Sequence, residues 1–332
     1  MTTYALNGLG RMGKLALKPL LDSGAKIAWI NDAVGDAAMH AHLLEFDTVH
    51  GRWDAAFSHD ASSVTIDGLR LPFVGTAKLE DLPLGDVDVV IDCTGVFKSE
   101  AALAPYFAAG VKKVVVSAPV KDGPTANIVY GINNASYDPA RHSIVTAASC
   151  TTNCLAPVVK VMHETFGIRH GSITTIHDVT NTQTIVDRPA KDLRRARSAL
   201  NSLIPTTTGS ATAITQIFPE LKGRLNGHAI RVPLLNASIT DCVFELDNKT
   251  TAEDINAAFE AAAAGPLKGI LGFETRPLVS ADYTNDPRSS IIDAPSTMVV
   301  NGTQAKIYAW YDNEYGYAMR LADVALMVGA SL

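Results

Sequence analysis

The chemistry of this chain is concentrated in Ser149-Cys150-Thr151-Thr152-Asn153-Cys154, which sets a thiol among hydroxyls and an amide. The apolar segment Ile144 to Ala148 runs into it, and Leu155, Val158, Val159 and Met162 follow at helix spacing until Gly167. That pattern predicts a strand-to-helix junction with Ser149 as N-cap and Cys150 in the first turn. A thiol with the ordinary pKa of about 8.5 is mostly protonated at neutral pH. The positive end of a helix favours the thiolate, the form that attacks carbonyl carbon. A small apolar Cys packed at a helix start is the plain alternative. A second reactive type, His177, ends the β-branched run from Ser172 and is followed by Asp178-Val179-Thr180-Asn181-Thr182-Gln183. A His at a strand end can act as base for a Cys, although alone it reads equally as a hydrogen-bonded His of the core or surface.

Cations and hydroxyls recur downstream. Lys191 to Arg197 is strongly basic within an acidic chain, which suits either a solvated loop or an anion site. Pro205-Thr206-Thr207-Thr208-Gly209 offers hydroxyls and backbone N–H groups before another helix, and Arg231 stands alone in the apolar stretch Ala229 to Leu235. A lone Arg in such a setting needs a partner, and a ligand phosphate would serve.

At the other end of the chain, Tyr4-Ala5-Leu6 reads as a buried strand that enters Gly8-Leu9-Gly10-Arg11-Met12-Gly13. A helix patterned by Leu15, Leu17, Leu20 and Leu21 follows, then a second strand at Ile27 to Ile30, with Asp32 placed 19 residues beyond Gly13. A G-x-G-x-x-G in that context is a dinucleotide fingerprint. The glycines let the backbone approach a pyrophosphate at the helix N-terminus, and Asp32 accepts from ribose hydroxyls while repelling a 2′-phosphate, which favours NAD.

The elements that must position these groups change character along the chain. Strands and helices alternate over the first 150 residues, as in an open doubly wound parallel sheet. In such sheets ligands bind at strand carboxyl ends, where Thr94-Gly95 and Ser117-Ala118-Pro119 fall. Helices are expected over Asp36 to Phe46 and Glu100 to Ala109, a polar loop over Asp47 to Ala61, and a hairpin turning at Asp67-Gly68. Later, Thr250 and Glu253 suggest a capping box, Asn301-Gly302 turns a hairpin into a strand from Thr303, and a helix spans Tyr317 to Leu332. The expected organisation is a Rossmann-type NAD-binding domain over 1–149, joined by the C-terminal helix of 314–332, and an α+β catalytic domain with a mostly antiparallel sheet over 150–313.

Bulk properties narrow the classes. At 332 residues and 47% hydrophobic, the chain can build two sizeable cores. A net charge of −6 argues against a nucleic-acid binder. The four cysteines, Cys93, Cys150, Cys154 and Cys242, are too few and scattered for a disulfide framework, and no His or Cys stands at metal-finger spacing around Cys150 and Cys154, so no metal is expected. No apolar run approaches the roughly 20 residues of a membrane helix, and a strand and glycine fingerprint occupy the place of a signal peptide.

Taken together, Asn7 to Gly13, Asn31-Asp32, Asp47 to Trp53, Thr94 to Phe97, Ser117 to Pro119, Ser149 to Pro157, Thr180 to Gln183, Lys191 to Arg197, Ile204 to Gly209, Arg231-Val232-Pro233 and Trp310 to Tyr317 resemble the glyceraldehyde-3-phosphate dehydrogenase family over the full length of the chain. The resemblance implies Cys150 as nucleophile and His177 as base. It implies a hemithioacetal oxidised by hydride transfer to NAD, and a thioester cleaved by an oxyanion. Thr180 and Arg231 would hold the phosphate of glyceraldehyde 3-phosphate. Ser149, Thr151, Arg195, Thr208 and Gly209 would hold the attacking anion, inorganic phosphate or arsenate. Asn313 would hold the nicotinamide carboxamide, beside Gly8, Gly10, Arg11, Met12, Gly13, Asp32, Thr94, Gly95 and Ser117 for the rest of the cofactor. A cytoplasmic homotetramer is implied. The chain departs from the family at Val179, commonly Tyr, at Ala147 and Met319, often Asn, at Ala190, often His, and at Ala77, often Arg. Arg188 replaces an apolar residue near the ribose of a neighbouring subunit, so NADP stays open beside NAD.

His42 to Trp53, Ile176 to Val186, Leu234 to Glu245, Leu278 to Ser290 and Met298 to Asp312 further resemble the branch encoded beside the arsenical exporter ArsJ. That branch implies arsenate as the oxyanion, 1-arseno-3-phosphoglycerate as product, and functional coupling to the exporter. A housekeeping glycolytic enzyme, an erythrose-4-phosphate dehydrogenase and a redox-sensing or RNA-binding protein are the competing readings.

Overall fold

The computed structural model describes residues 1–332. The chain begins with β1 (Thr3–Asn7), α1 (Arg11–Asp22), β2 (Lys26–Asn31), α2 (Ala37–Glu45), β3 (Phe46–Asp47), β4 (Gly51–Arg52), β5 (Phe57–Asp60), β6 (Ser63–Ile66) and β7 (Leu69–Pro72). It continues with β8 (Val89–Asp92), α3 (Glu100–Ala108), β9 (Lys113–Val116), β10 (Thr125–Asn127) and β11 (Ile144–Thr146). Then come α4 (Cys150–Phe166), β12 (Ile168–His177), β13 (Ile204–Thr207), α5 (Ser210–Ile217), β14 (Leu225–Arg231), β15 (Ser238–Leu246) and α6 (Ala252–Ala264). The last elements are β16 (Leu271–Glu274), β17 (Ser290–Asp293), β18 (Met298–Val300), β19 (Gln304–Tyr311) and α7 (Tyr315–Ala330). Two compact units result, Met1–Ser149 with Tyr317–Leu332, and Cys150–Gly316.

The first unit is a doubly wound sheet of order β10-β11-β9-β8-β1-β2, parallel throughout. Its central strands are apolar through their middles, with Leu6, Val90, Ile91, Val114 and Val115 fully buried, as a sheet covered on both faces requires. β1 lies between β8 and β2, so the strand order reverses there and opens the crevice in which such sheets take ligands. A buried polar network ties these strand ends together. Asn31 Nδ2 donates to Asn7 Oδ1 at 2.7 Å, Asn7 Nδ2 to the Tyr106 hydroxyl at 2.6 Å, and that hydroxyl to Asp92 Oδ2 at 2.8 Å. α7 returns to this unit. Thr2 Oγ1 donates to Gly329 O at 2.8 Å, and a Cβ on Gly329 would lie 1.9 Å from the Tyr4 hydroxyl oxygen.

The second unit carries a sheet of order β13-β14-β12-β15-β19-β17-β16, with β18 on β19. Only β12–β14 and β16–β17 are parallel pairs. α4 is buried along most of its length and packs on α5, α6 and the strands β15, β17 and β19. No helix of the protein is long and apolar enough to cross a membrane.

Several local expectations shift in the structure. The stretch read as a polar loop contains β4 and β5, because β5 pairs with β6 while leaving its Ser58, His59 and Asp60 side chains in solvent. Its polarity reflects exposure, not irregularity. The α6 cap is one residue later than the box expected at Thr250 and Glu253: Thr251 Oγ1 accepts the Asp254 N–H at 3.1 Å. Asp67 and Gly68 turn the first hairpin, both with positive φ as a type I′ turn demands, whereas the second has a three-residue loop because Val300 pairs with Gln304. Arg231 ends β14 instead of standing within it, and β12 begins at Ile168, four residues before the expected Ser172.

Candidate active site

β12 delivers His177 as its last residue, and the parallel register with β14 sets Arg231 beside it. Cys150 opens α4, with Sγ 3.6 Å from His177 Nε2. On the other side of the ring, Nδ1 lies 2.7 Å from Asp178 Oδ1 and 2.9 Å from Asp178 O. Arg231 Nη1 stands 2.7 Å from the same Nδ1 and donates to Asp178 O at 3.1 Å. The Tyr311 hydroxyl bridges Thr151 Oγ1 at 3.0 Å and Thr175 Oγ1 at 2.7 Å, joining the first turn of α4 to β12. Its ring meets His177 edge-on at 6.0 Å.

The electrostatics favour an ion pair. Burial pushes the Cys150 thiol up, but the hydrogen bond and charge of His177, with Arg231, outweigh it and hold the thiol below its ordinary value. Burial pushes His177 down, yet Asp178 and Cys150 outweigh that, so the imidazole is raised to about 9 against the opposition of Arg231. A thiolate beside an imidazolium at a helix start is an activated nucleophile with its base in reach.

The expected anion-holding residues are placed unevenly. Arg231 Nε is buried without a hydrogen-bond partner, which leaves a donor for a ligand. Thr180 Oγ1 lies 2.9 Å from Thr182 Oγ1 and 3.1 Å from Gln183 Oε1. Arg195 pairs with Asp192 at 3.3 Å in the loop between β12 and β13. Its charge is felt at Arg231, whose guanidinium is pushed below its ordinary range chiefly by burial. Arg188 sits in the same loop, its N–H on Ala196 O. Thr208 Oγ1 accepts the Ser210 N–H at 3.3 Å, and Gly209 caps α5 with open space where a Cβ would stand. Ser149 is the residue before α4. Cys150, His177, Thr151, Arg231 and Asn313 fall in one bonded cluster of the second unit, to which no hydrogen bond directly joins Thr180, Arg195, Thr208 or Gly209.

The first unit holds its own cradle. Gly8 has φ +97°, and a Cβ there would meet the backbone of Cys93 and Thr94 at 2.7 Å. A Cβ on Gly13 would stand 1.8 Å from Gly8 O, so β1 and α1 can join this closely only through glycine. Gly10 caps α1 without a side chain, and a Cβ there would meet nothing within 4 Å. That open space at the helix N-terminus suits a pyrophosphate. Arg11 and Met12 begin the helix, with Arg11 and Lys14 both paired to Asp47. Asp32 Oδ2 accepts the Leu9 N–H at 2.8 Å and Oδ1 the Val34 N–H at 3.0 Å, fixing the carboxylate at the end of β2. Asp92 accepts both the N–H and the hydroxyl of Thr94, Gly95 turns with φ +67°, and Ser117 N donates to Asp92 O at 2.9 Å. These residues fit a dinucleotide.

Sequence reasoning missed Asp92, Asp178, Ser238, Thr175 and Tyr311. Of these only Asp178 had a signal, its adjacency to His177; the others act through partners brought by strand pairing.

Residues 2–100 match the model for the NAD binding domain of glyceraldehyde 3-phosphate dehydrogenase, and residues 149–313 match that of its C-terminal domain. Glyceraldehyde-3-phosphate dehydrogenase 3 of Nostoc sp. is 59% identical over 331 residues, 98% of each chain. Glyceraldehyde-3-phosphate dehydrogenase 1 of Bacillus cereus is 47% identical over 98% of each chain, and the Geobacillus stearothermophilus enzyme is 47% identical over 98% of this chain and 97% of its own.

Proposed function

The chain belongs to the glyceraldehyde-3-phosphate dehydrogenase family, and from that premise we propose how its residues act. It is an NAD-dependent phosphorylating oxidoreductase of aldehydes. The observation that carries the residue assignment is Cys150 Sγ at 3.6 Å from His177 Nε2, with the thiol lowered and the imidazole raised.

Cys150 adds as thiolate to the aldehyde carbon of glyceraldehyde 3-phosphate, and the His177 imidazolium gives its Nε2 proton to the aldehyde oxygen, leaving a hemithioacetal beside a neutral ring. NAD, when bound, supplies the hydride acceptor. His177 takes the hydroxyl proton as the carbon is oxidised and stabilises the oxyanion that forms at each tetrahedral stage. The thioester left on Cys150 is cleaved by the incoming oxyanion, which becomes the acyl anhydride while the thiolate leaves. Arg231 and Thr180 hold the substrate phosphate, a role supported by the unpartnered Nε of Arg231. Ser149, Thr151, Arg195, Thr208 and Gly209 hold the oxyanion. Gly8 to Gly13, Asp32, Thr94, Gly95 and Ser117 hold the cofactor, with Asn313 on the nicotinamide amide. The organisation is a cofactor domain of 1–149 with the C-terminal helix and a catalytic domain of 150–313, assembled as a cytoplasmic homotetramer.

The oxyanion is phosphate or its analogue arsenate. The arsenate reading, with its coupling to an exporter, rests on the segments that resemble the ArsJ-associated branch. The test is NADH formation from glyceraldehyde 3-phosphate with phosphate and arsenate titrated separately over a low-anion background. Saturable turnover is expected with both and none with Cys150→Ser. A higher kcat/KM with arsenate favours the resistance role, and equal or better use of phosphate leaves any arsenic role to the exporter downstream, with this enzyme an ordinary family member in its chemistry. Full activity of Cys150→Ser would refute the covalent mechanism.

A further inference from the structure

The buried carboxyl of Asp178 has no part in the steps above, yet it is the best-braced group in the cluster. It is 0% exposed, and N–H groups from two directions meet its two oxygens. His177 Nδ1 lies 2.7 Å from Oδ1, and Asn313 Nδ2 donates to Oδ2 at 2.8 Å. Ser238 completes the brace, its Oγ accepting the Asp178 N–H at 3.2 Å and donating to Asn313 Oδ1 at 2.9 Å. A buried carboxylate so held cannot turn away from the imidazole without stranding Asn313.

We infer that Asp178 is a positioning residue that takes the Nδ1–H of His177, sets Nε2 toward Cys150, and offsets the Arg231 cation crowding the same ring. This rests on Cys150 and His177 being the nucleophile and base.

The need for Asp178 follows from the charges around His177. Arg231 Nη1 lies 2.7 Å from Nδ1. Without the carboxylate, the other acceptor at Nδ1 is the neutral Asp178 backbone O at 2.9 Å, which already takes an N–H from Arg231. Either a neutral ring then accepts the Arg231 N–H, or an imidazolium stands against a second cation with only a shared neutral acceptor. Neither supports a thiolate at Nε2. The carboxylate restores the balance by giving the Nδ1 proton an anionic acceptor, while the backbone Asp178 O takes the Arg231 N–H. The other titratable neighbours of the pair are Cys150 at Nε2, Tyr311 at the ring edge, and Glu314, whose charge reaches Asp178; Arg195 acts on Arg231. Burial pushes the Asp178 carboxyl above the ordinary range, and His177 and Asn313 pull it back. Asn313 keeps one amide hydrogen beyond the one it gives Asp178, so the same side chain can brace the base and still meet a nicotinamide amide.

The sign of the pH effect is fixed by the proton count. In the native protein the imidazolium persists up to about pH 9, so the thiolate is held across neutral pH and is lost only as pH falls through the lowered Cys150 value. Without the carboxylate the ring gives up its proton first. Cys150 then keeps its own until alkaline pH, where burial has placed it.

The test is the rate of Cys150 alkylation by iodoacetamide against pH, without cofactor, in the native chain, Asp178→Asn, His177→Asn and the double variant. The expected result for Asp178→Asn is about tenfold or greater loss of the pH 7 rate, with the rising limb moved alkaline by about one pH unit or more. In the His177→Asn background, Asp178→Asn should give no alkaline shift, because there the Asp178 charge only opposes the Cys150 thiolate, whereas a merely structural role would give the same shift in both backgrounds. A native profile for Asp178→Asn overturns the inference, as does an equal shift in the background lacking His177. An unchanged profile for His177→Asn instead refutes the base assignment itself. Asp178→Ser, read in the same way, decides the matter if the amide variant does not fold.

Discussion

At the residue scale the function depends on a few groups whose neighbours alter their chemistry. Cys154 and Cys242 are buried thiols that burial pushes up, the former to about 12, so they are inert at neutral pH. Cys150 is only partly buried, faces His177 and moves the other way. Arg231 has two roles in prospect, one through Nη1 beside His177 and one through the unpartnered Nε. Arg231→Leu is expected to raise the KM for glyceraldehyde 3-phosphate by about tenfold or more, the scale of a lost charged hydrogen bond. Steady-state kinetics check this, and an unchanged KM would place the substrate phosphate elsewhere. Much of this scale was legible in the sequence, because a Cys at a predicted helix start and a His at a predicted strand end are local features. The pairing of Arg231 with the base was not, since nothing near residue 231 points to residue 177.

At the element scale, tight joints do the positioning. The β1–α1 turn closes through Gly8 and Gly13, while Gly10 faces open space. The two kinds of glycine should therefore respond differently to a methyl group. Gly13→Ala would press a Cβ onto the Gly8 carbonyl and is expected to cost about 1–3 kcal/mol in stability as well as NAD affinity. Gly10→Ala is expected to change stability by no more than about 0.5 kcal/mol while still weakening NAD. Thermal melts paired with NAD titration separate the two, and equal destabilisation by both would refute the division. The glycine spacing alone signalled the turn but not which glycine serves packing and which serves the ligand. The short strands β4 and β5 carry no strand signal for a related reason, because solvated strand residues lack the apolar alternation that announces a strand.

At the scale of the whole molecule, the chain is wound so that its last helix completes its first unit. α7 meets β1 where Gly329 passes the Tyr4 hydroxyl with no room for a side chain. Gly329→Val is expected to cost about 1–3 kcal/mol and lower Tm, measured by calorimetry; an unchanged Tm would mean that this contact does not hold α7 in place. By itself the sequence determined what local pattern controls: the glycine fingerprint and its acid, the alternation of a doubly wound sheet, and a Cys-bearing helix start before a strand that ends in His. These follow from periodicity and turn chemistry within a few residues. Only the tertiary structure decided which distant groups meet. The β12–β14 register brings Arg231 to His177, and Ser238 pairs opposite Tyr311, bringing Asn313 to Asp178 across 135 positions of chain. A shift of one residue in either pairing would turn these side chains to the other face, and register is a property of paired strands that neither strand carries alone.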